Sequence, residues 1–372
     1  IGAAGSIYEN GLAGARTDPF GYSLCILVMG LFFARRLWNL KLTTLGDFFR
    51  QRYGMGVEKV AVVLMVPASV IWAAAQILAF GHVLSASSTI AVDLSIAFAA
   101  LMVISYTVLG GLLADVISDF IQGVVLIIGL LVLLIIVLMN LPDTGVIAQG
   151  FSAERLQLRR EGEDWLAVVD AWSIPIIGSL FTAELVTRVI AARSAGIAQR
   201  ATMLGGASYF LIGLIPLFLG MIGPGLIPDL TDGEQILPVL AQTYLPTALY
   251  VVFAGALMSA ILSTVDSALL AAGALVSHNL VLPFLRYRGT QSLDERLKMR
   301  LSRASVLLFG LVAYYLARNA DSVLGLVEEA SAFGSAGIFT CCLLGLTQRR
   351  GGRYTAMASM IVGMVSYGVL AY

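Results

Sequence analysis

Charge is what this sequence has least of. Its 372 residues hold 23 Lys+Arg and 23 Asp+Glu, 12% charged in all, about half of the ~25% that an ordinary soluble domain carries. Too little polar surface remains to solvate a globule of this size, which excludes a soluble fold. The formal net charge of zero leaves no excess of Lys and Arg to neutralise phosphates, which excludes a nucleic-acid partner. Cysteine is scarce: Cys25, Cys341 and Cys342 lie in apolar runs with no CxxC or metal spacing, and they read as small core hydrophobes, not a disulfide framework. Histidine numbers two, and His82 and His278 stand alone near helix ends, as satisfied polar residues do. No Ser-His-Asp set, HExxH, phosphate loop or Cys/His cluster occurs, so neither enzymatic catalysis nor a bound cofactor is expected.

What fills the chain instead is apolar, 59% of it, in long runs. Lipid offers no hydrogen-bond partners to an open backbone, so a crossing of about 30 Å takes a helix of about 20 mostly apolar residues. Ten full segments of this kind are expected, at about 20–36, 60–84, 90–109, 116–141, 172–190, 202–227, 246–280, 303–318, 322–347 and 354–372. The fold class is therefore all-α, a polytopic membrane protein. The apolar stretch up to Gly14 is too short to span and has no basic n-region, so it is expected to be the second half of a helix, not a signal peptide. With the loop 35–59 cytoplasmic, strict alternation puts 18 Lys+Arg on the cytoplasmic side and 5 on the other, which sets the orientation by the positive-inside rule. The loop 142–171 then lies outside. Its mixed-charge stretch 153–158 fits either an amphipathic surface helix or a solvated connector.

Charge inside a membrane segment is costly and marks function by default. Asp266 sits in the run 246–280, one residue after Ser263-Thr264-Val265. Positions three and four apart share a helix face, so the carbonyl of Ala260 and the hydroxyls of Ser263 and Thr264 converge on one point. Such neutral oxygens suit a weakly held monovalent cation, Na⁺ in particular, or else each hydroxyl bonds back to the carbonyl one turn earlier. The Gly178-Ser179 step in mid-segment fits either an unwound stretch that frees backbone groups for a ligand or a tight crossing of small residues. Glu184 and Arg188, four apart, predict a structural ion pair. Asp115 and Asp119 follow Gly110-Gly111 and read as helix-start acids or functional charges, while Trp72 and Gln76 share a helix face and Glu328-Glu329 lie early in the ninth segment.

Several stretches resemble one known family. Thr43-Thr44-Leu45-Gly46-Asp47-Phe48 with Arg52-Tyr53-Gly54 is similar to the "TLPDF…RYG" loop of the solute:sodium symporter family. Tyr106-Thr107, Gly110-Gly111 and Ser118-Asp119-Phe120-Ile121-Gln122 resemble its "YT..GG…TDxxQ" signature, and Ser263-Thr264-Val265-Asp266-Ser267 matches its "STxDS" motif. Asp18-Pro19-Phe20-Gly21-Tyr22-Ser23-Leu24 and Trp72-Ala73-Ala74-Ala75 look most like the choline-transporter-like branch of that family. Thr187 before Arg188 departs from the Gln that many relatives carry.

The resemblance implies a five-plus-five inverted repeat with two broken core helices. Residues 1–141 would hold a truncated first repeat with a partial first helix, 142–171 the outside loop, 172–347 the second repeat and 354–372 an extra helix. It implies a sodium site with helix-eight ligands Ala260, Ser263 and Thr264, with Asp119 near the ion's exit, the helix-one ligands preceding Ile1. For the organic solute it points to Gly2, Gly5, Trp72, Gln76, Ser179, Thr182 and Glu328. The implied activity is secondary active symport of Na⁺ with a small organic solute across the inner (plasma) membrane. The same fold used as the sensory module of a signalling protein is the competing expectation, and a channel is disfavoured because no filter-like ring of residues repeats. Trp72 with Glu328 would suit a cationic amine, while Gln76, Ser179 and Thr182 would equally suit a carboxylate or a polyol.

Overall fold

A computed structural model describes residues 2–86, 88, 90–160, 162–287, 295–335, 337–348 and 351–371, without the side chains at 86, 109–116, 118, 286–287, 295, 333–335 and 370–371. Those residues form helices and no strand. The expectations placed on Gly110, Gly111, Asp115 and Ser118, and on the basic residues Arg349 and Arg350, thus lie outside the described side chains.

The chain opens with α1 (Gly2–Asn10) and passes through tight turns at Gly11–Ala15 and Arg16–Gly21 into α2 (Tyr22–Val28) and α3 (Ala34–Asn39). At Asp18 the backbone leaves the helical region, at φ −140° and ψ 124°. The short α4 (Leu45–Tyr53) is started by Asp47, whose Oδ2 accepts the backbone N–H of Thr44 at 3.1 Å. Then come the long α5 (Met55–Ala86) and α6 (Val92–Met139), and the shorter α7 (Gly145–Gly150), α8 (Trp165–Ser173) and α9 (Ala183–Ile190). They are followed by α10 (Ala195–Leu226), α11 (Ile236–Tyr244), α12 (Thr247–Leu275), α13 (Leu282–Tyr287), α14 (Glu295–Arg318), α15 (Val323–Ser335), α16 (Ile338–Thr347) and α17 (Arg353–Ala371).

α5 is the centre. It packs against α4, α6, α12, α14 and α15, and its Ala73, Ala74 and Ala75 are fully buried, small residues that let neighbouring backbones approach where lipid gives no hydrophobic drive between helices. A second core gathers Ala4, Leu133, Leu219, Leu240 and Phe253 from α1, α6, α10, α11 and α12. On the outside the pattern inverts: Phe120 is 74% exposed, Leu204 68% and Val369 74%. Apolar side chains on that many outward faces match a hydrocarbon surround.

Among the described residues, six helices are long and apolar enough to cross a membrane, seven if the bent pair Trp165–Gly178 and Ala183–Ile190 counts as one span. Three expectations differ from what is observed. The segments 90–109 and 116–141 form one helix of 48 residues, α6, about 72 Å long at 1.5 Å per residue. Two glycines cost only about 1 kcal/mol each in a helix interior, too little to end a helix flanked by apolar residues on both sides. Asp119 therefore sits inside a helix, not at its start. The segment 322–347 is divided at Gly337, whose φ of +76° starts α16. The third is the loop 151–164, which is neither an amphipathic helix nor merely solvated.

That loop is a strap over the end of α1. Arg155 donates from Nη2 to the carbonyls of Ile7 (3.0 Å) and Tyr8 (3.2 Å), while its own carbonyl accepts the N–H of Leu12 at 2.8 Å. Arg16, 4% exposed, forks onto both carboxylate oxygens of Glu163 at 2.9 and 2.8 Å. At the far end of α12, Asn279 donates to Glu58 (2.7 Å) and to Asp47 (3.2 Å) and accepts from Thr44 (2.7 Å), tying α4 and α5 to the core.

The strap carries a pH dependence. The Arg16 guanidinium, against some desolvation and with help from the Arg160 backbone, holds the Glu163 carboxyl down to about 2. A depressed carboxylate contributes stability that is present above its ordinary value and lost as pH falls through the folded one. Hydrogen exchange of 152–164 should therefore be slow and pH-insensitive, after correction for intrinsic rates, from pH 7 to 5 and should accelerate between pH 4 and 2. Glu163→Gln should show the fast rate throughout.

Candidate substrate and ion pathway

The helix expected at 172–190 breaks at Gly178-Ser179, one of the two readings open for that step. A wide π-helical turn at Ile174–Gly178 ends the first part, Thr182 is extended at φ −67° and ψ 149°, and α9 leaves at 41° to the incoming arm. The break is pressed onto α15: a Cβ at Gly178 would stand 2.7 Å from the Ser331 carbonyl oxygen, so only glycine permits this approach. Ser331 then gathers polar groups, its Oγ lying 3.2 Å from the Tyr22 hydroxyl and 3.4 Å from Ser179 Oγ.

Three cavities share walls, and the first of them is lined by this break. One of about 240 Å³ is lined by Tyr22, Trp72, Ser179, Thr182, Arg188 and Thr264. A second, of about 310 Å³, has Gly2, Asp18, Tyr22, Trp72, Gln76 and Thr264 around it. The third, about 430 Å³, is bordered by Gly2, Gly5, Asp232, Glu234 and Glu328. Trp72, Tyr22, Tyr209 and Thr264 belong to both of the first two, and Gly2 and Leu324 join the second to the third. The residues expected to touch the solute are thus brought to one continuous path, though not to one point. Gly5 and Glu328 stand at one end and Ser179 and Thr182 at the other. Gly5 also packs hard, since a Cβ there would meet Glu234 N at 2.6 Å.

Of the sodium candidates, Thr264 lines two of these cavities, while Ala260, Ser263 and Asp119 line none of the three. Ser263 Oγ and Thr264 Oγ1 both donate to the carbonyl of Ala260, at 3.0 and 3.1 Å. The back-bonding arrangement and the convergence of three oxygens are therefore one geometry: the hydroxyls rest on the carbonyl that an ion would share with them. Asp266 is fully buried behind them.

The Glu184–Arg188 ion pair expected from spacing does not form. Arg188 Nη2 instead reaches Asp119 Oδ2 at 3.0 Å and Ser267 Oγ at 2.8 Å, bridging α9 to α6 and α12, while Glu184 turns toward Ser69 of α5. The four-residue rule describes an isolated helix, and here the acid and the base face different neighbours. Sequence reasoning also passed over Asp18 and Tyr209. Tyr209 donates to Asp18 Oδ1 at 3.0 Å, and Tyr22 meets Trp72 edge-on at a centroid distance of 6.2 Å. The available signal was Asp18 itself, an acid one step outside an apolar run, which looks like a flank until the turn at Arg16–Gly21 brings it inward.

A family model described as "Sodium:solute symporter family" matches residues 1–363. The chain belongs to the sodium:solute symporter family. Relatives include the high-affinity choline transporter 1 of Torpedo marmorata, 27% identical over 98% of this chain and 64% of that protein. Others are the sodium/proline symporter 2 of Staphylococcus saprophyticus, 25% identical over 98% and 73%, and the sodium/pantothenate symporter of Haemophilus influenzae, 24% over 100% and 78%. The chain spans about 64% of the length of the choline transporters of Torpedo marmorata and Homo sapiens. A solved Na⁺-coupled sialic acid symporter, in a substrate-bound outward-open state, superposes with a TM-score of 0.80 over 100% of this chain and 83% of that one at 17% identity. That likeness establishes a shared fold.

The close contact at Gly178 makes a sharp prediction. Gly178→Val should separate the break from Ser331, at a cost of about 1–3 kcal/mol in overpacking. It should lower the melting temperature of the purified protein in detergent, whereas Gly205→Ala, at a position with open space around it, should not.

Proposed function

We propose that this protein is a secondary active symporter that couples inward Na⁺ movement to uptake of a small organic solute by alternating access, and that it is not an enzyme. The observation that carries the reading is the set of three cavities that share walls, one of them lined by the broken helix, with Trp72 and Thr264 common to two of them. Residues 1–141 and 172–347 are taken as the two inverted repeats, 142–171 as the loop between them and 354–372 as an extra helix. The protein is placed in the plasma (inner) membrane with 35–59 cytoplasmic and 142–171 outside; the 18-to-5 division of basic residues behind this orientation counts 90–109 and 116–141 as two crossings of the one long helix α6.

In this reading Ala260, Ser263 and Thr264 hold the ion, together with carbonyls of the first core helix, and Asp119, paired with Arg188, stands near its release route. The solute contacts Gly2, Trp72, Gln76, Ser179 and Thr182 along the path, with Gly5 and Glu328 at its entrance. The walls favour a solute carrying a positive nitrogen: Asp18 supplies the counter-charge, and the Tyr22 and Trp72 rings supply π faces worth about 0.5–2 kcal/mol each to a cation. Among the relatives, the choline transporters are named for such a cation. At about 2.3 kcal/mol per charge per 100 mV, one Na⁺ driven by membrane potential sustains roughly 50-fold accumulation of a neutral solute, and a cationic solute gains the same increment again.

The test is uptake by the full-length protein in proteoliposomes, with and without an inward Na⁺ gradient, screening cationic, zwitterionic and neutral solutes. Na⁺-independent uptake, or none of any class, overturns the proposal. Ser263→Ala with Thr264→Ala should abolish Na⁺ stimulation. Asp18→Asn should raise the KM for a cationic solute by about 10- to 100-fold, the value of one charge-assisted contact, and leave a neutral solute unaffected.

A further inference from the structure

Between α5, the start of α9 and α15 lies a fourth, much smaller cavity of about 30 Å³. Four of its walls are oxygen-bearing side chains: Ser69, Thr182, Glu184 and Ser331. Ser69 and Ser331 are 4% and 2% exposed. Ser69 and Glu184 face each other across this cavity, and Glu184 Oε1 is buried with no hydrogen-bond partner in the protein. Arg188, the one cation on the same helix within reach by spacing, is committed to Asp119 and Ser267. A carboxylate in this setting is expensive unless something positive meets it.

The size of the cavity decides what that is. About 30 Å³ clears the roughly 10–15 Å³ that one water-sized species needs and excludes any methylated ammonium group, which would need several times more. The donor set is a carboxylate oxygen and three hydroxyls on three separate elements, the hard, all-oxygen environment that small non-transition cations prefer. It adjoins the solute path, because Trp72, Thr182 and Glu184 also line the 240 Å³ cavity. It shares no residue with the Ala260–Ser263–Thr264 cluster.

We infer that Glu184, with Ser69, Thr182 and Ser331, forms a second monovalent-cation site that takes a dehydrated Na⁺, so that two Na⁺ accompany each solute. This rests on the symport reading above. The ion's charge compensates Glu184, and its occupancy fixes the contact between the break at 179–182 and α15. Loading this site therefore prepares the wall against which the solute packs.

The experiment is the full-length protein in proteoliposomes, with Na⁺ activation of solute uptake and charge moved per solute measured together. The wild type should show a Hill coefficient for Na⁺ near two, and Glu184→Gln a coefficient near one with one fewer charge per solute. Ser69→Ala, which keeps the carboxylate and removes one neutral oxygen, should keep both coefficient and stoichiometry but require several-fold more Na⁺ for half-activation. It also serves if Glu184→Gln does not fold. A Glu184→Gln protein that folds and transports with unchanged coefficient and charge ratio overturns the inference, as does a wild-type coefficient of one. Ser69→Ala with unchanged Na⁺ dependence overturns it as well. If wild-type uptake ignores Na⁺ altogether, it is the symport reading that fails.

Discussion

In a surround that offers no hydrogen bonds, every polar group must be matched from within, and the architecture follows from how this chain obeys that rule. Among the described residues the helices close their own backbones, and two of the exceptions border the cavities. The opened backbone at Asp18, the extended residue at Thr182 and the left-handed start at Gly337 are the points where groups are released from helices. The first two border the path of cavities, where a ligand rather than lipid can meet what has been released.

The class of the protein was legible from composition, because a 12% charge content cannot solvate a soluble surface of this size. Gly178-Ser179 marked the place of the helix break but left open whether the segment would unwind or only pack closely, and helical spacing placed Ala260, Ser263 and Thr264 together without deciding between ion binding and back-bonding. What sequence did not disclose was long-range. Tyr209 and Asp18 are 191 positions apart, and Arg188 finds Asp119 across 69, choices made by packing and invisible to any local rule. In α6, two glycines read as a break between two apolar runs, yet at about 1 kcal/mol each they cost less than opening the backbone, and the helix continues through them.

Charges near the ends of the helices behave differently from those inside. Arg16, Glu163 and Arg155 fasten the loop 151–164 to the end of α1, and Asp47, Glu58 and Asn279 fasten α4 to α5 and the far end of α12. Both clusters join elements distant in sequence.

Trp72 borders the small cavity and two of the larger ones, so in the proposed reading a single indole would face ion and solute at once. Its orientation is then a shared variable, and linkage makes the sharing reciprocal: whatever factor the ion adds to solute affinity, the solute adds to ion affinity. A side chain of this kind makes coupling a local matter of one ring's position, with no signal to carry across the molecule.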